Sequence, residues 1–232
     1  MRPERLEILD DKYFARARYN MVLHQLVPNG ILDESIIETM RSVPRHSFIK
    51  SKHFQMAYTD GILPLMDTEI FADDNRYLLP PLVFAKMLQA GEINSESVVL
   101  DVACGTGYSS VVISNIAKKV VAIEEDRKLL KLASDDVEMM HGTDNIMFDT
   151  PIGFESNADA MKFDLVFVNG ILNDTPKFIK DRLKENGRLI LIEKQNHFAQ
   201  AIKYTKHGDK LSKEELFDVD ADDRLNIYME LK

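Results

Sequence analysis

One cysteine, no tryptophan and no apolar run of membrane-spanning length mark this 232-residue chain by what it lacks. A single thiol, Cys104, excludes an internal disulfide and any site built from several cysteines. No stretch reaches the roughly 18 apolar residues that a bilayer span requires. No apolar segment follows the basic start Met1–Arg5, so neither a membrane span nor a signal peptide is expected, and the expected location is cytoplasmic. Bases are in the minority, 29 Lys and Arg against 38 Asp and Glu, and the net charge of −9 is mixed along the chain. That leaves no basic stripe for nucleic acid. A metal is not expected either. Asp73 and Asp74 are adjacent with no histidine nearby, and the acids Asp218, Asp220, Asp222 and Asp223 lack the glycine and terminal glutamate spacing of a calcium loop.

What is present is a core-forming chain, 45% apolar, organised around Val98–Gly107, VVLDVACGTG. Apolar residues around an acid, followed by a glycine-rich turn, read as a parallel strand running into the first turn of a helix near Tyr108, whose amide end faces the Ala103–Gly107 turn. A second apolar strand, Val120 to Ile123, stops at Glu124, 23 residues after Asp101. In a strand-helix-strand unit that spacing puts Glu124 at the C-terminal sheet edge, within reach of a pair of ribose hydroxyls. A dinucleotide fingerprint would need glycines at 103, 105 and 108, where this chain has Ala103, Gly105 and Tyr108. No GK[ST] follows, which excludes a P-loop. The pattern D-x-A-x-G-x-G fits a nucleoside without a pyrophosphate, and S-adenosylmethionine is such a ligand. Ala103 is tolerable at negative φ; a left-handed backbone there costs roughly 1 kcal/mol relative to glycine. The alternative is a tight strand-to-helix turn that holds no ligand.

Around this unit the pattern predicts a helix over residues 5–25, stopped by Val27-Pro28-Asn29-Gly30, and a short helix from Asp33 to Met40 with Asp33 as its cap. A proline-punctuated layer follows, with His46 beside Arg45 read as a surface or hydrogen-bonded histidine in preference to a catalytic one. Residues 66–81, MDTEIFADDNRYLLPP, are either a wall of the site or a solvated connection. Pro81 opens a helix through Leu88. Strand Ser97–Val102, helix Tyr108–Ala117, strand Val120–Ile123, helix Asp126–Met139, strand Ile146–Phe148 and strand Phe163–Gly170 come next, with a loop at 152–162. A helix capped by Thr175 then runs to Asn186-Gly187 with Phe178 and Leu183 inward, before strand Arg188–Ile192. Segments 197–204, 216–219 and 225–231 are read as further strands, the last two as an antiparallel edge. The expectation is an α/β fold, a doubly wound and mostly parallel sheet (residues 81–232), with an N-terminal helical and lid extension over residues 1–80. Asp101, Glu124, Asp149, Thr150 and Asn169 all fall at C-terminal strand ends, where such sheets bind ligands.

VPRHSFI at 43–49, AYTDGILPL at 57–65, VFAKM at 83–87, LDVACGTGYSS at 100–110, VVAIEED at 120–126 and RLKENGRLI at 182–190 together resemble the protein-L-isoaspartate O-methyltransferase family, over nearly the full length. The resemblance implies a class I, Rossmann-like methyltransferase with Asp101, Ala103, Gly105 and Gly107 as the S-adenosylmethionine turn. It also implies Glu124 on the ribose and the Asp149–Thr150 segment beside the adenine; Asn169 joins them at the same edge. It further implies a protein or peptide carboxylate as acceptor. A different, small acid is the alternative acceptor, and a cofactor-binding protein without catalysis the alternative function. One departure stands out. The family phrase G-x-T-I-S-x-P aligns with Tyr77, Leu78 and Leu79, so the hydroxyl pair is gone and an acidic stretch replaces what precedes it. Tyr77 and Leu79 are thus the lid candidates, and no general base is identified. A monomer or weak homodimer is expected.

Overall fold

Among the described residues, seven strands lie in one sheet in the order β5-β4-β3-β6-β7-β8-β9. The computed structural model describes residues 11–66, 76–138, 142–156, 161–172, 177–195, 198–220, 225 and 227. In chain order, α1 (Asp11–Met21) continues into a wide turn, Val22–Leu26, and α2 spans Glu34–Ser42. A two-stranded ribbon follows, β1 (Leu63–Pro64) against β2 (Tyr77–Leu78), paired Leu63↔Leu78 and Pro64↔Tyr77. Then come α3 (Pro81–Ala90), β3 (Val98–Val102), α4 (Tyr108–Ser114), β4 (Lys119–Ile123) and α5 (Arg127–Glu138). The remainder is β5 (Ile146–Asp149), α6 (Pro151–Ser156), β6 (Phe163–Ile171), α7 (Lys177–Asp181), β7 (Leu183–Gln195), β8 (Phe198–His207) and β9 (Lys210–Val219).

Strands β5, β4, β3, β6 and β7 are parallel, while β8 and β9 add antiparallel to the far side. The central strands carry near-continuous Val, Leu and Ile because both faces are covered, as a parallel sheet requires. Val99, Val120, Leu165 and Ile190 pack on one face together with the N-terminal segment, from Phe14 and Met21 through Leu63 and Leu79. Leu100, Val121, Val166 and Leu189 pack on the other with Phe154 and Ile179. The strand order runs β3, β4, β5 in one direction and then jumps to β6 on the opposite side of β3. That reversal opens a crevice at the C-terminal ends of β3 and β6, where ligands of such sheets bind.

Local chemistry explains several boundaries. The Asp33 carboxylate accepts from Ser35 N and Ile36 N and starts α2, and Asp126 Oδ1 accepts from Lys128 N at 2.7 Å and starts α5. Pro81 occupies the first turn of α3, where its missing N–H costs nothing.

The structure corrects three expectations of local structure. The loop expected at 152–162 begins as α6, because Thr150 Oγ1 accepts from Gly153 N at 3.0 Å and Pro151 sits at its start. The helix expected to reach residue 186 ends at Asp181, and Leu183 instead opens β7, buried as expected but in a ladder with Phe163. Asn186, at φ +59°, then turns within β7 rather than ending a helix. Helix α4 stops at Ser114, three residues short of Ala117, and Asn115 Nδ2 and Ser114 Oγ both cap Val111 O. The helix expected over 5–25 is borne out from Asp11 onward, since α1 runs on without a break into the wider helical turn Val22–Leu26; its first residues, 5–10, lie outside the described residues. Thr175, the 67–75 acids and most of 225–231 lie outside the described residues. Among the described residues, no helix is long and apolar enough to cross a membrane.

Candidate active site

The turn after β3 is built from three left-handed residues, Ala103, Gly105 and Gly107, at φ +58°, +60° and +91°. The condition set for Ala103, a negative φ, is not met. The chain reverses immediately after the strand so that Cys104 N–H can donate to Ile123 O (3.2 Å) and Gly107 N–H to Cys104 O (2.9 Å). Ala103 therefore carries roughly 1 kcal/mol of strain relative to glycine. Gly105 is required twice over, since a Cβ there would also lie 2.5 Å from Leu65 Cδ1. Leu65, next to the β1–β2 ribbon, thus packs directly on the turn.

Asp101 is fully buried beneath it. Oδ2 accepts from Ser109 Oγ (2.7 Å) and Ser110 Oγ (2.6 Å) on α4, and Oδ1 accepts from Asn169 Nδ2 (2.6 Å) on β6. Asn169 Nδ2 also donates to Val102 O at 3.0 Å. The register of β6 against β7 shifts between Phe167 and Ile171, the stretch that carries Asn169. Asp101 and Asn169 are thus brought together as braces of the turn. Burial pushes the Asp101 carboxyl up from 3.8 to about 6, against the three hydrogen bonds from Ser110, Ser109 and Asn169, with the Glu124 charge adding to the rise. A carboxyl whose folded pKa is raised contributes stability that is full below about pH 4 and lost as pH rises through about 6. The stability of the native protein relative to Asp101→Asn is therefore expected to fall by up to about 2–3 kcal/mol between pH 4 and pH 7. Urea unfolding of both proteins across that range checks it, and a difference that grows with pH would refute it. The same burial, reinforced by the Asp101 and Glu124 charges, raises the Cys104 thiol well above its usual range, so this cysteine is a packing residue rather than a nucleophile.

Glu124 closes β4, one strand over, and is 1% exposed. Its Oε2 accepts from Gly105 N (2.8 Å) and Arg76 Nη2 (3.3 Å), and its Oε1 accepts from Asp126 N (3.1 Å). Asp149 ends β5 beside it, with Asp149 O accepting from Glu124 N at 3.2 Å, and Thr150 begins α6. Glu124, Asp149 and Thr150 therefore form one continuous C-terminal rim with the glycine turn. A buried carboxylate presents acceptors only, which suits a pair of ribose hydroxyls. The residues present fit a nucleoside, provided that Arg76 moves.

Arg76 and Arg45 are the residues that sequence reasoning passed over. Arg76 precedes Tyr77 on the ribbon, and its Nη2 bridges Ala103 O (3.1 Å) and Glu124. Its only signal was a lone base after four acids, beside the lid candidates. Arg45 is 1% exposed and donates from Nε to Ala57 O (2.9 Å) and from Nη2 to Leu79 O (2.7 Å), with its guanidinium 4.8 Å from the Tyr108 ring centre. A base inside the apolar phrase VPRHSFI was the signal there. Tyr77 and Leu79 are both buried, and Leu79 lies in the layer shared by Phe48, Tyr108 and α3. His46 stands apart from this rim. Its ring stacks on Phe14 (centroids 3.9 Å apart) and Nδ1 shares a 2.7 Å hydrogen bond with Tyr58 OH.

A doubly wound sheet whose switch point meets a left-handed glycine turn, with a buried carboxylate ending the next strand, defines a Rossmann-like protein of the nucleoside-binding kind. The model of the Protein-L-isoaspartate(D-aspartate) O-methyltransferase family matches residues 17–220, and the chain belongs to that family. It is 31% identical over 178 residues to Protein-L-isoaspartate O-methyltransferase 1 of Syntrophobacter fumaroxidans, covering 77% of this chain and 79% of that one. It is 32% identical to the Koribacter versatilis protein-L-isoaspartate O-methyltransferase, with 77% of each covered. Among solved structures, a protein-L-isoaspartate O-methyltransferase superposes with a TM-score of 0.74 at 22% identity, over 91% of this chain and 67% of that one. One from Plasmodium falciparum, in complex with S-adenosyl-L-homocysteine, gives 0.69 at 22% identity over 87% and 95%. The latter two likenesses bear on the fold.

Proposed function

We propose that this enzyme uses S-adenosylmethionine to methylate a carboxylate of a protein or peptide, and that it acts on isoaspartyl residues slowly. The observation that carries the reading is Glu124, a buried carboxylate hydrogen-bonded to Gly105 N at the rim of the left-handed turn. The cofactor supplies the methyl group. The chain's own residues have to bind, orient and exclude water, because a carboxylate ionised at neutral pH needs no strong general base. In this reading Glu124 holds the ribose, the turn from Ala103 to Gly107 lies along the methionine portion, and Asp149 and Thr150 border the adenine. Asp101 and Asn169 act one step removed, by keeping the turn in place.

The slow rate on isoaspartyl residues follows from the lid. Leu79 stands where the family phrase has a hydroxyl, and it is buried, with its carbonyl fixed by Arg45. A leucine donates nothing to an incoming carboxylate. One missing hydrogen bond to a charged group raises the barrier by roughly 1.5–3 kcal/mol, about one to two decades in rate. Leu79→Ser is therefore expected to speed labelled methyl transfer to an isoaspartyl peptide by that factor while leaving cofactor affinity unchanged. The normal aspartyl twin is the control. Rapid, isoaspartyl-selective turnover by the unaltered enzyme would overturn the slow-rate reading.

The buried apolar run Tyr77-Leu78-Leu79 favours a second reading, in which the acceptor is a small acid. Turnover of a small-acid panel with none of the peptide would establish it.

A further inference from the structure

Arg76 and Glu124 meet at a point that the cofactor reading reserves for ribose. Glu124 has about four lone-pair positions. Gly105 N, Asp126 N and Arg76 Nη2 already use three of them, and the carboxylate is almost sealed from solvent. The two backbone donors belong to the folded turn and to the start of α5, and they have nowhere else to go. The guanidinium is different. Its side chain is 18% exposed, it comes from the β1–β2 ribbon, and it reaches across to a separate layer of the fold.

The ribbon grips the turn at two points. Leu65 rests on Gly105, and Leu65 N donates to Arg76 O at 2.8 Å, so the residue that covers the glycine and the residue that caps the carboxylate are hydrogen-bonded to each other. Arg76 Nη2 completes the grip by bonding Ala103 O as well as Glu124. Ala103 is the strained position of the turn, so the grip also helps to hold its left-handed backbone.

We propose that Arg76 is a latch, an autoinhibitory contact that closes the cofactor site by occupying Glu124 and is displaced when the nucleoside binds. The proposal rests on the cofactor reading above. Two ribose hydroxyls and a guanidinium cannot share one buried carboxylate that already serves two backbone amides. Every binding event therefore begins with, or forces, the departure of Arg76. A protein latched for most of the time shows an affinity lowered by the fraction that is open.

Calorimetric titration with S-adenosylhomocysteine, of the full chain and of Arg76→Gln, tests this. The glutamine variant is expected to bind about tenfold more tightly, as for a latch closed some nine-tenths of the time. Stopped-flow mixing should show the gain in the association rate, with dissociation unchanged. Arg76→Lys keeps the charge and is expected to stay within a few-fold of the native protein; if the glutamine variant is unstable, Arg76→Met takes its place, with the same tenfold gain expected. Equal affinity in all three proteins, or weaker binding by Arg76→Gln, would overturn the latch while leaving the cofactor reading intact. No binding by any of them would overturn both.

Discussion

Arg45→Ala is expected to lower the free energy of unfolding by about 3–5 kcal/mol, the largest single effect among the changes considered. Arg45 is the largest side chain among the described residues that is essentially wholly buried. Among the described residues no carboxylate lies within ion-pair distance of it, and burial draws its proton affinity down, offset in part by the field of Tyr108 and, more weakly, of Asp60. What it does instead is tie together parts of the chain distant in sequence. It donates to Ala57 O and to Leu79 O, and it lies over the ring of Tyr108, the first residue of α4. Removing it orphans two buried carbonyls at roughly 1–3 kcal/mol each and leaves a void beside Tyr108. Arg45→Met separates the two causes. It refills most of the volume and removes a desolvated charge, so only the orphaned carbonyls should remain, and the loss should fall to about 2–3 kcal/mol. Urea unfolding of the three proteins measures this. An Arg45→Met protein as stable as the native one would mean that the carbonyls find other donors. Because Leu79 O anchors the lid segment, both variants should also slow methyl transfer beyond what their stability explains.

Glu124→Ala should weaken cofactor binding by about 2–3 kcal/mol, a factor of roughly 30 to 150, through loss of charge-assisted hydrogen bonds to the ribose. The structure adds two qualifications of sign. Alanine also strips the Gly105 and Asp126 amides of their acceptor, which loosens the turn and adds to the loss. It also releases Arg76, which works in the opposite direction. Glu124→Gln keeps the shape but only one acceptor oxygen, so it leaves one of the two amides without its partner as well as removing the charge, and its affinity should lie between those of the native protein and Glu124→Ala. Measured in an Arg76→Gln background, where no latch remains to be released, the Glu124→Ala loss should be larger than in the native background by about the factor that the latch accounts for. This non-additivity is what a shared contact produces. Isothermal titration with S-adenosylhomocysteine reads all four corners. Unchanged affinity in Glu124→Ala would put the ribose elsewhere.

The sheet and the site rim were legible in the sequence for a simple reason. Strands buried on both faces must be apolar throughout, so VVLDV, VVAI and FDLVFV stand out from any background. A parallel sheet with right-handed crossovers then leaves one place for the residues at their ends. Asp101, Glu124, Asp149 and Asn169 could be put on one edge without knowing any distance. Helix starts were legible on the same local grounds at Asp33 and Pro81, since a capping carboxylate and a fixed proline φ act within their own turn.

Tertiary structure alone decided the rest, because the deciding partners are far apart in sequence. Ala103 is left-handed because Cys104 must reach Ile123 O across the strand pair, a demand that no local pattern encodes. Helix α7 gives way to β7 at Leu183 because the ladder with Phe163 outweighs the helical spacing of Phe178 and Leu183. Asp101 and Asn169 face each other, 68 positions apart, because β3 and β6 are neighbours in the sheet. Arg76 reaches Glu124 over 48 positions, and Arg45 reaches Leu79 over 34. A charged side chain in a sequence announces only that it needs a partner or water, and which partner it finds is settled when the layers close on one another.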